Sequence, residues 1–138
     1  MATARDVVQR ALRIIEVAAV DEPVTAEIAD VGLIALNDML NGWRAHSVDV
    51  GHSTDYTLSS TFETATLTSD YRDAVTHCLA KALASEFGVS LSTEAAMNAR
   101  DGWTVIQSNF LTSNPLKVDG GMLKLPSRKW GNLRSLGY

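Results

Sequence analysis

Over residues 4–19 the apolar and polar positions separate at the helical period. Val7, Val8, Ala11, Leu12, Ile14, Ile15 and Ala18 fall on one side, and Arg5, Asp6, Gln9, Arg10, Arg13 and Glu16 on the other. This predicts an amphipathic helix capped by Thr3, with Asp6 in the first turn where a carboxylate favours the positive end of the helix. Asp21-Glu22-Pro23 ends it. A second helix, capped by Thr25, is expected to run to about His46 and to bury Ile28, Val31, Ala35, Leu36, Met39, Leu40 and Trp43. Ile34 projects from its opposite face, between Glu27 and Asn41. It reads either as a lone exposed aliphatic residue, which is common, or as a contact to a neighbouring subunit.

The pattern changes over residues 47–68, which hold Gly51 and many Ser and Thr. Tyr56-Thr57-Leu58-Ser59 and Phe62-Glu63-Thr64-Ala65-Thr66-Leu67 alternate as short strands do, which predicts an extended loop or a small hairpin. A two-stranded unit is unstable alone, so it should lean on the helices or on another chain. Tyr56, Leu58 and Phe62 are candidates for a subunit or tail interface.

A third helix is predicted from Ser69 or Asp70 to Gly88, a natural residue for the left-handed helix end, with the stripe Tyr71, Ala74, Val75, Cys78, Leu79 and Ala82. Ser92 caps a fourth, where Ala96, Ala99, Trp103, Ile106 and Phe110 follow the 3-4 spacing of a paired helix. Gly102 lies mid-helix at a cost of about 1 kcal/mol against alanine, so another helix is expected to approach it closely; we count it among the interface candidates. Beyond Ser113-Asn114-Pro115 the helical period is lost, and Gly120-Gly121, Pro126, Gly131 and Gly137 argue against a packed helix. Yet Leu125, Trp130, Leu133 and Tyr138 remain as apolar anchors, which a disordered tail would lack. The expected organisation is a helical domain over residues 1–112 and an extended docking arm over 113–138.

Charge sharpens that division. Residues 113–138 hold Lys117, Lys124, Arg128, Lys129 and Arg134 against Asp119 alone, net +4, while the other 112 residues hold seven basic and fifteen acidic groups, net −8. An acidic body with a basic arm implies different partners for the two. The 138 residues, 46% hydrophobic and 20% charged, suit one globular domain with its own core. The single cysteine, Cys78, offers no internal disulfide. The opening residues lack a secretory pattern, and no apolar run is long enough for a bilayer, so a membrane role is not expected.

Candidate chemistry is sparse. His46, His52, His77 and Cys78 show no metal-ligand spacing, and no phosphate loop or nucleophile elbow is present, so no catalytic, metal or cofactor residue is assigned. Glu86, on the apolar side of its helix, leaves open a peptidoglycan hydrolase. Arg128, Lys129 and Arg134 around Trp130 leave open a small DNA-binding or regulatory protein, although a −8 body would be repelled by phosphate.

Three blocks resemble a known family: Val8-Gln9-Arg10-Ala11-Leu12-Arg13-Ile14-Ile15, Ala35-Leu36-Asn37-Asp38-Met39-Leu40-Asn41-Gly42-Trp43, and residues 71–88 followed by Ser92-Thr93-Glu94-Ala95. They resemble the head-completion adaptors of tailed bacteriophages, especially the packaged-DNA stabilisation proteins of short-tailed phages. Pro126-Ser127-Arg128 followed by Gly131-Asn132 is similar to the tail of that group. The resemblance implies an all-α subunit of a twelve-fold ring beneath the portal protein, in the virion neck, made in the host cytoplasm. Its C-terminal segment would grip the portal through Leu125, Arg128, Lys129, Trp130, Leu133, Arg134 and Tyr138. Its lower side would receive a tail or nozzle component, and packaged DNA would pass through the channel without sequence-specific binding. A short 51–66 segment and an end at Tyr138 without a long extension depart from the group and leave the component below the ring open.

Overall fold

The computed structural model describes residues 2–19, 21–52 and 54–111. The described chain is all-α, with helices α1 (Ala4–Ile14), α2 (Ala26–Ala45), α3 (Arg72–Phe87) and α4 (Thr93–Phe110), and a 3-10 turn, Ser69–Tyr71, leading into α3. The expected C-terminal docking arm, Leu125, Arg128, Lys129, Trp130, Leu133, Arg134 and Tyr138 included, lies outside the described residues.

Helix α1 begins on a reciprocal cap. The Asp6 amide donates to Thr3 Oγ1 at 3.3 Å, and the Thr3 amide donates to Asp6 Oδ2 at 2.9 Å. The Thr3 amide, foremost, and the Thr3 hydroxyl, which donates to Asp6 Oδ2 at 3.0 Å, hold the Asp6 carboxyl below the usual carboxylate range. The helix stops at Ile14, short of the expected 19, because Glu16 takes a left-handed backbone with φ 62°. Around it the Val17 amide reaches the Leu12 carbonyl (3.1 Å) and the Glu16 amide the Arg13 carbonyl (3.1 Å), which closes the helix end. The same closure ends α2 at Ser47 (φ 66°), where Val48 reaches back to Trp43, and ends α3 at Gly88 (φ 66°), where Val89 reaches back to Ala84. Only Gly88 is a residue that adopts this backbone without cost.

Helix α3 is the hub, packing against α4, α1 and α2. Val75, Thr76, Leu79, Ala80, Leu83 and Ala84 are buried, while Ala74, Cys78 and Ala82 are half-buried. The expected single stripe is therefore too narrow: with neighbours on three sides, the buried arc covers most of the helix. The crossing with α4 is set by Gly102, where a Cβ would lie 3.0 Å from both the Ala74 Cα and the Ala74 carbonyl oxygen. The close approach expected at this glycine is thus made within the chain, and Gly102 is corrected from interface candidate to internal packing residue. On α2, Ala29, Gly32, Leu36, Leu40 and Trp43 form the buried row, and Val31 lies outside it at 40% exposure, against expectation.

Residues 47–68 form no strand ladder among the described residues, so the hairpin alternative falls. Two isolated bridges, Thr3 with Thr61 and Val48 with Leu111, are the extent of the pairing seen there. The segment instead returns to the start of α1. The Ala4 amide donates to the Ser60 carbonyl (2.9 Å) and the Arg5 amide to the Leu58 carbonyl (3.2 Å), which satisfies donors that a first helical turn leaves open. Phe62 then donates to the Ala2 carbonyl (3.0 Å) and inserts its ring, fully buried, alongside Val50 and Leu67. The Asn37 side chain of α2 pairs with the backbone of Tyr56 in both directions, at 2.8 and 3.1 Å.

Candidate functional site

The interface residues expected from the sequence scatter. Phe62 is corrected: it is core of the chain itself, 0% exposed, because its backbone is tied to Ala2 and its ring packs on Tyr56 at 5.7 Å. Tyr56 is half-buried and donates its hydroxyl to the Phe62 carbonyl at 2.9 Å, and burial raises its phenol pKa. Leu58 is half-buried in a depression shared with Arg5, Asp30 and Leu33. Ile34 alone of the five stands well out, at 61% exposure on the outer face of α2.

Ile34 is the centre of a patterned stripe. Glu27, Val31, Ile34 and Asp38 follow one another at 4-3-4 spacing along α2, all exposed, with Asp30 beside them. The stripe has an aliphatic middle and carboxylates at both ends.

A second surface opens where α2, α3 and α4 meet. It is a groove of about 610 Å³ walled by Met39, Trp43, Cys78, Ala99 and Trp103, with Lys81 and Arg100 exposed at its edge. Trp43 and Trp103 stack obliquely at 5.2 Å, their planes 44° apart. Small residues on α3 and α4, Ala82, Ala96 and Ala99, leave the trough open beside the two large rings. No carboxylate lines it, and neither Lys81 nor Arg100 has an ion-pair partner among the described residues. Two arginines elsewhere are matched, Arg10 in an exposed pair with Asp73 and Arg72 in a half-buried pair with Glu63.

No protein-family model matches the chain, and no curated protein does.

The groups with latent chemistry are isolated. Cys78 is half-buried in the groove wall and donates to the Ala99 carbonyl at 3.6 Å, and desolvation pushes its thiol up to about 11, against the small opposing pull of Lys81. A thiol held protonated is a poor nucleophile at neutral pH. His77 Nδ1 lies 2.9 Å from the Asp73 carbonyl, and Glu86 is exposed. Among the described residues no group of three His, Cys, Asp or Glu side chains could hold a metal ion, and no helix is long and apolar enough to cross a membrane.

The sequence pattern places Trp43 on the buried face of α2 and Trp103 in the α4 seam, and does not reveal the groove. The available signal was the pairing of those two indoles with the alanines at 82, 96 and 99, which are too small to fill the space beside the rings.

Proposed function

We propose that the chain is a structural virion protein, a head-to-tail adaptor of a tailed phage that acts by assembly and not by catalysis. The observation that carries this reading is the presence of two unlike contact surfaces on one small helical body. One is the acidic-flanked aliphatic stripe around Ile34 (61% exposed), and the other is the tryptophan groove edged by Lys81 and Arg100. A subunit that joins neighbours head to tail needs two different patches, whereas a two-fold dimer needs one.

Three features support the reading. The blocks that resemble the adaptor family fall on α1, on α2 and on the α3–α4 pair, which are the elements that build the body. The net −8 of the first 112 residues suits a body beside DNA, since like charge prevents trapping. The +4 of residues 113–138, with Trp130 and its apolar neighbours, suits a docking arm for the portal protein.

Binding to a purified portal ring from the same phage tests the proposal. The full chain is expected to bind, and the chain truncated after Pro115 is expected to stay folded and lose binding. Salt-dependent DNA affinity in place of portal binding would favour the regulatory reading, and peptidoglycan turnover abolished by Glu86→Gln would favour the hydrolase.

A further inference from the structure

We propose that the tryptophan groove seats the outer α2 stripe of a second copy of this chain, so that Val31 and Ile34 of one subunit enter the groove and its carboxylates meet Lys81 and Arg100 of the next. The proposal rests on the adaptor reading and names the self-contact which that reading leaves unspecified.

The two surfaces are inverse in chemistry. The stripe offers two exposed aliphatic side chains between Glu27 and Asp38, with Asp30 alongside. The groove offers an apolar wall of Met39, Trp43 and Trp103, with two unpaired cations and no acid. Aliphatic side chains can fill the trough beside the stacked indoles, and the cations gain the partners they lack within the chain. Apart from Lys81 and Arg100, the first 112 residues hold fifteen carboxylates against five cations, so a cation-edged apolar groove stands out as the acceptor for an acidic stripe.

Charge also decides against the other available occupant. Residues 113–138 carry apolar anchors but a net +4, and their cations would face Lys81 and Arg100 with like charge. The acidic α2 stripe has the sign the groove requires.

Geometry makes the contact one-directional. At the helical period Ile34 lies roughly 140–180° around α2 from Met39 and Trp43, so a subunit cannot seat its own stripe in its own groove. A contact of stripe to groove leaves a free groove at one end of the pair and a free stripe at the other. It therefore propagates. With only two aliphatic residues exposed on the stripe, the contact is expected to be weak in free solution.

Two variants of the full chain test this by complementation. Lys81→Glu with Arg100→Glu disables the groove and leaves the stripe, while Ile34→Asp disables the stripe and leaves the groove. All three positions are exposed, and unchanged circular dichroism verifies the fold. In sedimentation equilibrium at several hundred micromolar, the wild type is expected to exceed the 14.9 kDa monomer mass with no fixed end point. Each variant alone is expected to stay monomeric, with at least a tenfold loss of association. Their equimolar mixture should form a one-to-one dimer and stop there, because only one intact stripe and one intact groove remain to meet. A mixture that stays monomeric, single variants that associate like the wild type, or self-association displaced by a peptide of residues 112–138 would each overturn the proposal. If the wild type binds a portal ring while the mixture fails to dimerise, this contact falls and the adaptor reading stands. If the mixture dimerises and the wild type ignores the portal, the reverse holds.

Discussion

Glu16 and Ser47 hold left-handed backbone, at φ 62° and 66°, in helix-closing positions where glycine is the ordinary choice. A side chain there costs about 1–2 kcal/mol relative to right-handed backbone. Glu16→Gly removes that cost and adds chain entropy to the unfolded state, for an expected net gain of up to about 1 kcal/mol. Thermal denaturation should show the transition rising by a few degrees, and a falling transition would mean that the Glu16 side chain contributes more than its strain. Two other glycines predict opposite signs. Around Gly42, on α2, a Cβ would meet nothing within 4 Å, so Gly42→Ala should stabilise by roughly 0.5–1 kcal/mol. At Gly102 a Cβ would press on Ala74 backbone, which cannot swing aside, and Gly102→Val should cost about 2 kcal/mol or more through overpacking. Comparing the two variants' urea midpoints with the wild type checks both.

His52 carries a pH dependence. Its ring is buried and stacks on Tyr56 at 4.9 Å, and desolvation lowers its pKa below the ordinary 6.5. Asp55, with Oδ1 3.5 Å from Nε2, offsets part of that, and Arg44 adds to the lowering. The folded chain therefore favours the neutral ring. Stability is full above pH 6.5 and falls as pH drops through the lowered pKa, because the unfolded chain takes up the proton first. Asp6 acts in a separate window: its carboxyl is held below 3.8, so its contribution is lost only below about pH 4. The urea midpoint should decline from pH 7 to pH 5 in the wild type and flatten in His52→Phe. A wild-type midpoint constant over that range would contradict this account.

At the scale of elements, the segment 47–68 matters most, because it is part of the core of a helical protein without being helical. Phe62→Ala should cost about 3–5 kcal/mol, as expected for an aromatic side chain with no exposed surface, and should lower the cooperative unfolding transition as a whole. A cost below about 1 kcal/mol would return Phe62 to the surface role its surroundings in the sequence suggest. That suggestion arose from local composition: Ser and Thr around three apolar residues look like a solvated contact loop. What overrides it is a set of bonds between residues 2–5 and 58–62, a separation that no local pattern reports. The helix ends at the Thr3, Thr25 and Ser92 caps and at Gly88 were legible, because capping follows local rules, but the buried row of α4 is Ala95, Ala99, Gly102 and Ile106, and Ala96 of the expected seam is exposed. Helix α3, buried on three sides, has no single stripe to find, and the early end of α1 was hidden because a glutamate stands where a glycine would announce it. Of the site, only Ile34 was visible, as an aliphatic residue on a polar face; the groove depends on how three helices meet.

At the scale of the whole molecule, an acidic helical body, an aliphatic stripe, a cation-edged groove and a basic C-terminal segment are the separate surfaces that the proposed adaptor would use. In the proposed adaptor, Ile34 and the groove would contact other copies, and residues 113–138 would contact the portal. On this division, charge reversal at Arg128 and Lys129 should slow portal association and reduce its salt sensitivity, and leave the urea midpoint of the helical domain unchanged. Trp130→Ala should weaken portal binding by about 2 kcal/mol, as loss of a buried tryptophan anchor does. The most direct measurement is the binding of the full chain to a portal ring from the same phage, imaged and counted as added density at the ring's lower face, beside the chain truncated after Pro115. The account predicts that the full chain forms a continuous layer on the portal and that the truncated chain, equally folded, leaves the ring bare. A full chain that leaves the portal bare at micromolar concentration would contradict it.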